Sequence, residues 1–406
     1  MSSATSIFAP CQGVVQLRPR LEDWMVELLC DPKRLRELLA HHGGPLNIQS
    51  AAPFRRNVAA LTECVEAFDV PFLPMFARKA NKCLTYVTTA RDLGIGIDTA
   101  SHAEVAQCLD QDVPGERIVC TAAVKDHDLM VLCATNGVTI ILDNIDEMAL
   151  LEEIAQNNAK TISVGLRLNG FERDGKPLYS RFGFPLTRIP EIAERLSRTP
   201  RIRLGGLHFH LNGYSADDRI AAISQTLPLI DALRGSDRSD FFLDIGGGIP
   251  MNYLADADQW DTWVSELDAA LAGKRDPITQ HNAGLGRTVG PDGAAGSIDS
   301  YPVAQPLVQT AWIQQILAAS DGQRTIAERL RQANVSLRCE PGRSLLDGCG
   351  ITVARVAFCK YDSRGTPVIG VQMNRTQSRS GFAEFALDPL MVPGPAPRGD
   401  PVEGYL

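Results

Sequence analysis

From about residue 52 onward the chain alternates short apolar runs with amphipathic stretches. An apolar run of four to eight residues between turn signals reads as a buried strand, and apolar positions at three- and four-residue spacing read as a helix. The runs fall at 72–77, 95–100, 117–122, 138–144, 161–169, 202–211, 241–247 and 336–340. The helices between them are well punctuated. Ser101 and Glu104 have capping-box spacing, Asn144 and Glu147 offer a similar start, and Asn136 with Gly137 marks an end. Eight strands alternating with helices predict an α/β fold, a (β/α)8 TIM-type barrel.

Outside this rhythm the signal is mixed. Residues 21–39 hold a helical pattern broken near Asp31 and Pro32, and 42–48 read as a turn entering a strand. After the seventh run, Asp258 opens a helix whose Trp260, Trp263, Val264, Leu267 and Leu271 share one face, a stripe that packing alone explains. Residues 274–307 are rich in Gly, Pro, Asp and Ser and read as a long insertion, either a lid or a disordered loop. Helices return at 311–319 and 325–333, and two further strands follow at 350–358 and 367–371.

Composition narrows the partners. A chain of 406 residues that is 44% apolar is long enough for one large domain and a smaller companion. A net charge of −8 argues against a nucleic-acid or anionic-membrane surface and favours a small-molecule partner. The ten cysteines are scattered singly, with no zinc-like spacing, so neither a disulfide framework nor a metal site is indicated. Free thiols imply a reducing compartment. The opening Met-Ser-Ser-Ala-Thr-Ser has no basic leader, and no apolar run approaches the roughly 20 residues of a membrane span, so a cytoplasmic protein is expected.

Candidate chemistry gathers at strand ends. Lys79 closes the first apolar run; Arg167 and Asn169 end the fifth, and His208 and His210 the sixth. Gly246, Gly247 and Gly248 follow the seventh, and Glu340-Pro341-Gly342-Arg343 ends the eighth. A lone lysine is ordinarily a solvated surface group and a lone histidine a satisfied core group. Here all would meet at the barrel mouth, where catalytic groups collect. A partly desolvated Lys79 is expected to lose some preference for its charged form and become a carbonyl-reactive amine. The glycine run lets backbone N–H groups approach an anion, and Gly342 with Arg343 would clamp a phosphate.

These motifs, in this order, resemble the fold-type III pyridoxal-phosphate enzymes, in the branch containing diaminopimelate, ornithine and arginine decarboxylases, over about residues 45–358. Phe76-Ala77-Arg78-Lys79-Ala80-Asn81 resembles that family's Schiff-base lysine motif, and Ile97-Asp98-Thr99-Ala100-Ser101 its second-strand motif. The resemblance implies that Lys79 binds pyridoxal 5'-phosphate, that Asp98 and Arg167 lie beside it, and that His210 stacks on its ring. Gly246, Gly247, Gly248, Gly342 and Arg343 would then hold its phosphate, and Glu340 would face the ring nitrogen. The implied catalytic residues are Lys79, His210 and Glu340, acting on an amino-acid substrate. A carboxylate at the ring nitrogen strengthens the electron sink. The similar alanine racemases place an arginine there, so Glu340 favours decarboxylation.

The family architecture adds a β-sandwich and a head-to-tail homodimer in which each C-terminal domain completes its neighbour's site. The expected domains are an N-terminal segment at 1–51 contributing to the sandwich, a cofactor-binding barrel at 52–348 interrupted around 274–307, and an incomplete sandwich at 349–406. Two departures qualify the match. The family's phosphate-binding serine corresponds to Gly213, with Ser215 a nearby substitute. The place of its acidic substrate-binding residue is taken by Gln372, Met373, Asn374 and Arg375, and the chain stops at Leu406 before any cysteine motif, Cys359 coming too early. Three readings therefore stay open: an amino-acid decarboxylase, a cofactor-binding pseudoenzyme that acts through partner contacts, and a racemase or epimerase. For the first, a substrate with a free distal ammonium is not expected to be preferred.

Overall fold

A computed structural model of the chain describes residues 9–11, 13–234, 240–291, 293–298, 303–374, 377, 387–394 and 404. Arg375 and Leu406 lie outside the described residues. Two compact units emerge, one from Ala51–Pro250 with Leu307–Asp347, the other from Met1–Ser50, Met251–Pro306 and Gly348–Leu406.

The larger unit is a closed barrel of eight parallel strands. They are β1 (Phe72–Ala77), β2 (Gly96–Thr99), β3 (Ile118–Cys120), β4 (Thr139–Leu142), β5 (Ile162–Asn169), β6 (Ile202–His208), β7 (Phe241–Asp244) and β8 (Val335–Cys339). Each pairs with the next, and β8 returns to β1 through Leu337 opposite Phe72. All eight expected strands are present. Their near-continuous burial follows from parallel strands being covered on both faces. Met75, Val119, Ile141 and Phe242 fill the barrel interior. Room for them comes from glycine: a Cβ on Gly96 would lie 2.2 Å from Met75 Sδ, and one on Gly206 2.4 Å from the Phe242 ring.

The surrounding helices are α1 (Ala51–Glu66), α2 (Leu84–Leu93), α3 (His102–Asp110), α4 (His127–Asn136), α5 (Ile145–Asn157), α6 (Ile189–Ser197), α7 (Ala216–Arg234), α8 (Gln309–Ala318) and α9 (Ile326–Gln332). Ser101, Asp126 and Asn144 accept backbone N–H groups at the starts of α3, α4 and α5, and Thr325 with Glu328 completes a capping box on α9. α1 buries Phe54, Val58, Leu61 and Val65, with Phe54 edge-on to Phe76 of β1 at 5.1 Å.

The smaller unit carries the expected second sheet domain. Leu46–Gln49 pairs antiparallel with Gly350–Val353, Val356–Tyr361 with Pro367–Val371, and Ala9–Pro10 with Leu390–Met391. Leu28, Leu29 and Leu35 from two short helices pack under Ile48, Ile351 and Val353. The helix expected after the seventh strand forms over Asp258–Leu271 and belongs to this unit, where Trp263 and Leu267 join Leu17, Leu254 and Val303. The glycine-rich stretch after it is folded in its described residues: Thr288–Gly290 pairs with Gly293–Ala295, and Ile278, Leu285 and Ile298 pack on the same cluster.

Candidate active site

The C-terminal ends of the barrel strands carry a cluster of charged side chains. Lys79 sits in the turn Arg78–Ala80 after β1. Arg78 is fully buried and donates to Glu104 O at 3.2 Å, which fastens the turn to α3 and leaves the Lys79 side chain half-exposed. Lys79 Nζ lies 3.4 Å from Asp98 Oδ2 at the end of β2. The Thr121 hydroxyl donates to the other Asp98 oxygen. Burial was expected to push Lys79 toward its neutral form; instead the Asp98 carboxylate outweighs desolvation and raises the lysine's pKa. Asp98 itself is pushed up to about 7, first by burial and then by Glu340.

Beneath this pair runs a buried hydrogen-bonded chain. Arg167, at the end of β5, donates to Asp143 at 3.0 Å, to Thr121 O at 2.6 Å and, through Nε, to His208 Nδ1 at 3.3 Å. Because His208 Nδ1 accepts, Nε2 carries the proton and donates to Glu340 Oε1 at 2.9 Å. Burial by itself would raise the Glu340 pKa, but the hydrogen bond from His208 and the charge of Lys79 hold the carboxyl ionised, below the ordinary carboxylate range. His210 is less buried. Its Nδ1 accepts from Gly247 N–H at 3.4 Å, and desolvation lowers its pKa to about 4, so the ring is neutral. Asp244, at the end of β7, accepts from Gly246 N–H at 2.9 Å, and burial raises its pKa well above the ordinary value. Ligating atoms of His208, Asp244 and Glu340 converge within 4.8 Å. The His208–Glu340 hydrogen bond accounts for two of the three, and Asp244 Oδ2 has no hydrogen-bond partner among the described residues.

The loops after β7 and β8 form one wall. Gly246 and Gly248 have φ of 68° and 85°, which favour glycine, and Gly246 O accepts from Glu340 N–H at 2.9 Å. Pro341 O accepts from Ala77 N–H at 3.1 Å, which ties the end of β8 to β1, and a Cβ on Gly342 would lie 2.9 Å from Ala80 Cβ. Arg343 donates to the Tyr214 hydroxyl. The structure thus gathers Lys79, Asp98, Arg167, His210, Glu340 and the glycine loops at one end of one barrel.

Residues 54–283 match the family described as pyridoxal-dependent decarboxylase, pyridoxal binding domain. An uncharacterised protein, y4yA, from Sinorhizobium fredii is 31% identical over 380 residues, covering 90% of this chain and 76% of that one. This chain belongs to the pyridoxal-dependent decarboxylase family. A diaminopimelate decarboxylase of Neisseria meningitidis is 26% identical over 364 residues, covering 86% and 73% of the two chains. Among solved structures, a Helicobacter pylori diaminopimelate decarboxylase complexed with L-lysine superposes with a TM-score of 0.60 at 16% identity, over 84% of this chain and 73% of that one. A Vibrio vulnificus lysine/ornithine decarboxylase complexed with putrescine gives 0.59 at 17% identity, over 87% and 76%. These two likenesses establish the fold.

The site's own features fit the cofactor that gives the family its name. Glu340 Oε2 is 3.9 Å from His210 Nδ1, too far for a hydrogen bond, so an ionised carboxylate keeps acceptor capacity for a cationic N–H. Gly247 keeps space beside His210 that a side chain would fill, since its Cβ would lie 2.8 Å from Glu340 O and 3.6 Å from His210 Cε1. The sequence did not single out Asp143, Thr121 or Arg219, whose roles rest on contacts between distant strands and loops. His208 had a usable signal: strand alternation puts it on the same face as His210.

Proposed function

We propose that this protein is a pyridoxal-phosphate-dependent amino-acid decarboxylase in which Lys79 holds the cofactor through its side-chain amine. The observation that carries this reading is Glu340, a buried carboxylate kept ionised by His208 at 2.9 Å. When bound, the cofactor supplies an electron sink for the pair left on Cα as the α-carboxylate departs as CO₂. Glu340 would hold a proton on the ring nitrogen and so keep that sink strong. Arg167 and His208 keep Glu340 in one orientation and one ionisation state. His210, neutral and beside Gly247, would offer its face to the ring, and Asp98 keeps the Lys79 amine at the mouth. The glycine loops and Arg343 receive the phosphate.

Titrating purified protein with pyridoxal phosphate is expected to give a visible absorbance band that Lys79→Ala abolishes. Incubation with a panel of amino acids then reads the reaction. CO₂ release supports decarboxylation, loss of optical activity without CO₂ marks a racemase, and absence of both overturns the enzymatic reading. A substrate lacking a distal ammonium is preferred, on the absence of an acid among Gln372, Met373 and Asn374; robust turnover of ornithine or lysine overturns that preference.

The chain acts in the cytoplasm as a C2 homodimer. In support of location, none of the ten cysteines is in a disulfide, and no helix among the described residues is long and apolar enough to cross a membrane. In support of pairing, strand Val356–Tyr361 is exposed along its length and carries Val356, Phe358 and Tyr361. Sedimentation at micromolar concentration reads the assembly.

A further inference from the structure

We propose that Tyr214 is a phosphate-binding residue of this site, its hydroxyl completing the anion cradle formed by the glycine loop and Arg343. The inference rests on the cofactor reading above. Gly213 offers no side chain to an anion, and Ser215, the nearest hydroxyl on the sequence argument, is held by Arg173 and the start of α7, whereas Arg343 bonds to Tyr214. Ser215 Oγ accepts from Asp218 N–H at 3.2 Å at the start of α7 and from Arg173 Nη1 at 3.0 Å. Tyr214, between them, is placed differently. Arg343 Nη2 donates to Tyr214 Oη at 2.5 Å, and the guanidinium carbon lies 5.9 Å from the ring centroid. An oxygen that accepts from a guanidinium directs its own proton away from it. An anion that meets Arg343 therefore meets an O–H donor beside it.

The backbone beneath Tyr214 is built to stay in place. Trp312 Nε1 on α8 donates to Tyr214 O at 2.8 Å. The fully buried Arg219 donates to Leu211 O at 3.0 Å, to Gly213 O at 2.9 Å and to Gly247 O at 3.4 Å, so one guanidinium ties the loop after β6 to the glycine loop after β7. The two loops also touch directly: a Cβ on Gly248 would lie 2.9 Å from Gly213 O. Tyr214, Arg343 and the glycine loop thus form one braced wall, and the tyrosine is the side-chain hydroxyl on it.

The test compares wild type, Tyr214→Phe and Ser215→Ala for binding of pyridoxal phosphate, of phosphate-free pyridoxal, and of inorganic phosphate in the absence of cofactor. Absorbance reads the first two and phosphorus NMR the third. Tyr214→Phe is expected to weaken pyridoxal phosphate and inorganic phosphate by about tenfold or more, the worth of a hydrogen bond to a charged group, while pyridoxal binds as in wild type. Ser215→Ala is expected to leave the ratio of pyridoxal phosphate to pyridoxal affinity unchanged. Equal affinities in wild type and Tyr214→Phe, or equal weakening of pyridoxal phosphate and pyridoxal, overturn the proposal with the cofactor reading intact. Tyr214-dependent phosphate binding without any pyridoxal phosphate binding supports the anion cradle and overturns the cofactor reading instead.

Discussion

At the C-terminal ends of the barrel strands, Asp98, Asp244 and Glu340 are buried almost completely and face Lys79, Arg167 and two histidines. At the opposite end, Glu116, Asp240, Arg203 and Arg338 line a cavity together with Ser163 and Ser336. The two ends draw on the same residue types. They differ in what holds the charges. At the mouth each carboxylate accepts a specified hydrogen bond, although Asp244 Oδ2 has none among the described residues; burial and then Glu340 push Asp98 up to about 7 and Asp244 up, while His208 and Lys79 outweigh burial and hold Glu340 down. At the far end Arg338 lies 3.9 Å over the Phe242 ring with its buried Nε unpartnered among the described residues, and burial lowers its pKa. Neighbouring acids driven to different protonation states give a pocket distinct roles to assign, whereas a charged cavity alone does not.

The comparison breaks most directly at Glu340. Glu340→Gln keeps the shape and removes the charge, and turnover is expected to fall on the order of 10²- to 10³-fold while the cofactor band survives, as steady-state kinetics beside absorbance would read. Turnover within threefold of wild type would make the floor of the site equivalent to the charged cavity below it.

A second expectation concerns pH. Asp98 has a folded pKa of about 7 against an ordinary 3.8, so the folded state binds its proton more tightly than the unfolded state does. Its contribution to stability is full below about 3.8 and is lost as pH rises through about 7. His210, lowered to about 4 from 6.5, works in the opposite sense: its contribution is full above about 6.5 and is lost as pH falls through about 4. The two oppose each other in wild type. The difference between wild type and Asp98→Asn isolates the first. Urea unfolding of the cofactor-free protein from pH 4 to 7 is expected to show the variant gaining on wild type by a few kcal/mol as pH rises. A pH-independent difference would refute the assignment.

The smallest effect belongs to the far end. Arg338→Met loses a cation–π contact but also relieves a desolvated cation, and stability is expected to stay within about 1 kcal/mol of wild type, with turnover unchanged. A large loss of activity would show that the two ends are coupled.

The eight strands were readable because parallel strands buried on both faces leave continuous apolar runs, and the caps at Ser101 and Asn144 are local signals that depend on three or four neighbouring residues. The assignment of helix Asp258–Leu271 to the smaller unit was not readable. Its apolar stripe records that Trp263 and Leu267 are covered, and carries no record of what covers them. The charge state of Lys79 was misread for a related reason: a lysine after an apolar run signals burial, whereas its preference is set by Asp98, delivered by the next strand. Asp143 acts through Arg167, delivered by the next strand, and Arg219 through carbonyls of the irregular loop before it and of Gly247, contacts that no periodic spacing encodes. Ser215 looked like the substitute for a missing serine, but Arg173 and the start of α7 hold it, and it is Tyr214 that Arg343 engages.

Barrel closure also sets an order of events during synthesis. β1 pairs with β2 on one side, but its other neighbour is β8, at the far end of the unit's sequence. At roughly 5–20 residues per second, on the order of tens of seconds separate the emergence of Phe72–Ala77 from that of Val335–Cys339. Throughout that interval the first strand presents an open edge of unpaired N–H and C=O groups flanked by Met75 and Phe76, the kind of edge on which chains pair wrongly. The nascent chain is therefore expected to depend on chaperone shielding until its final barrel strand leaves the ribosome.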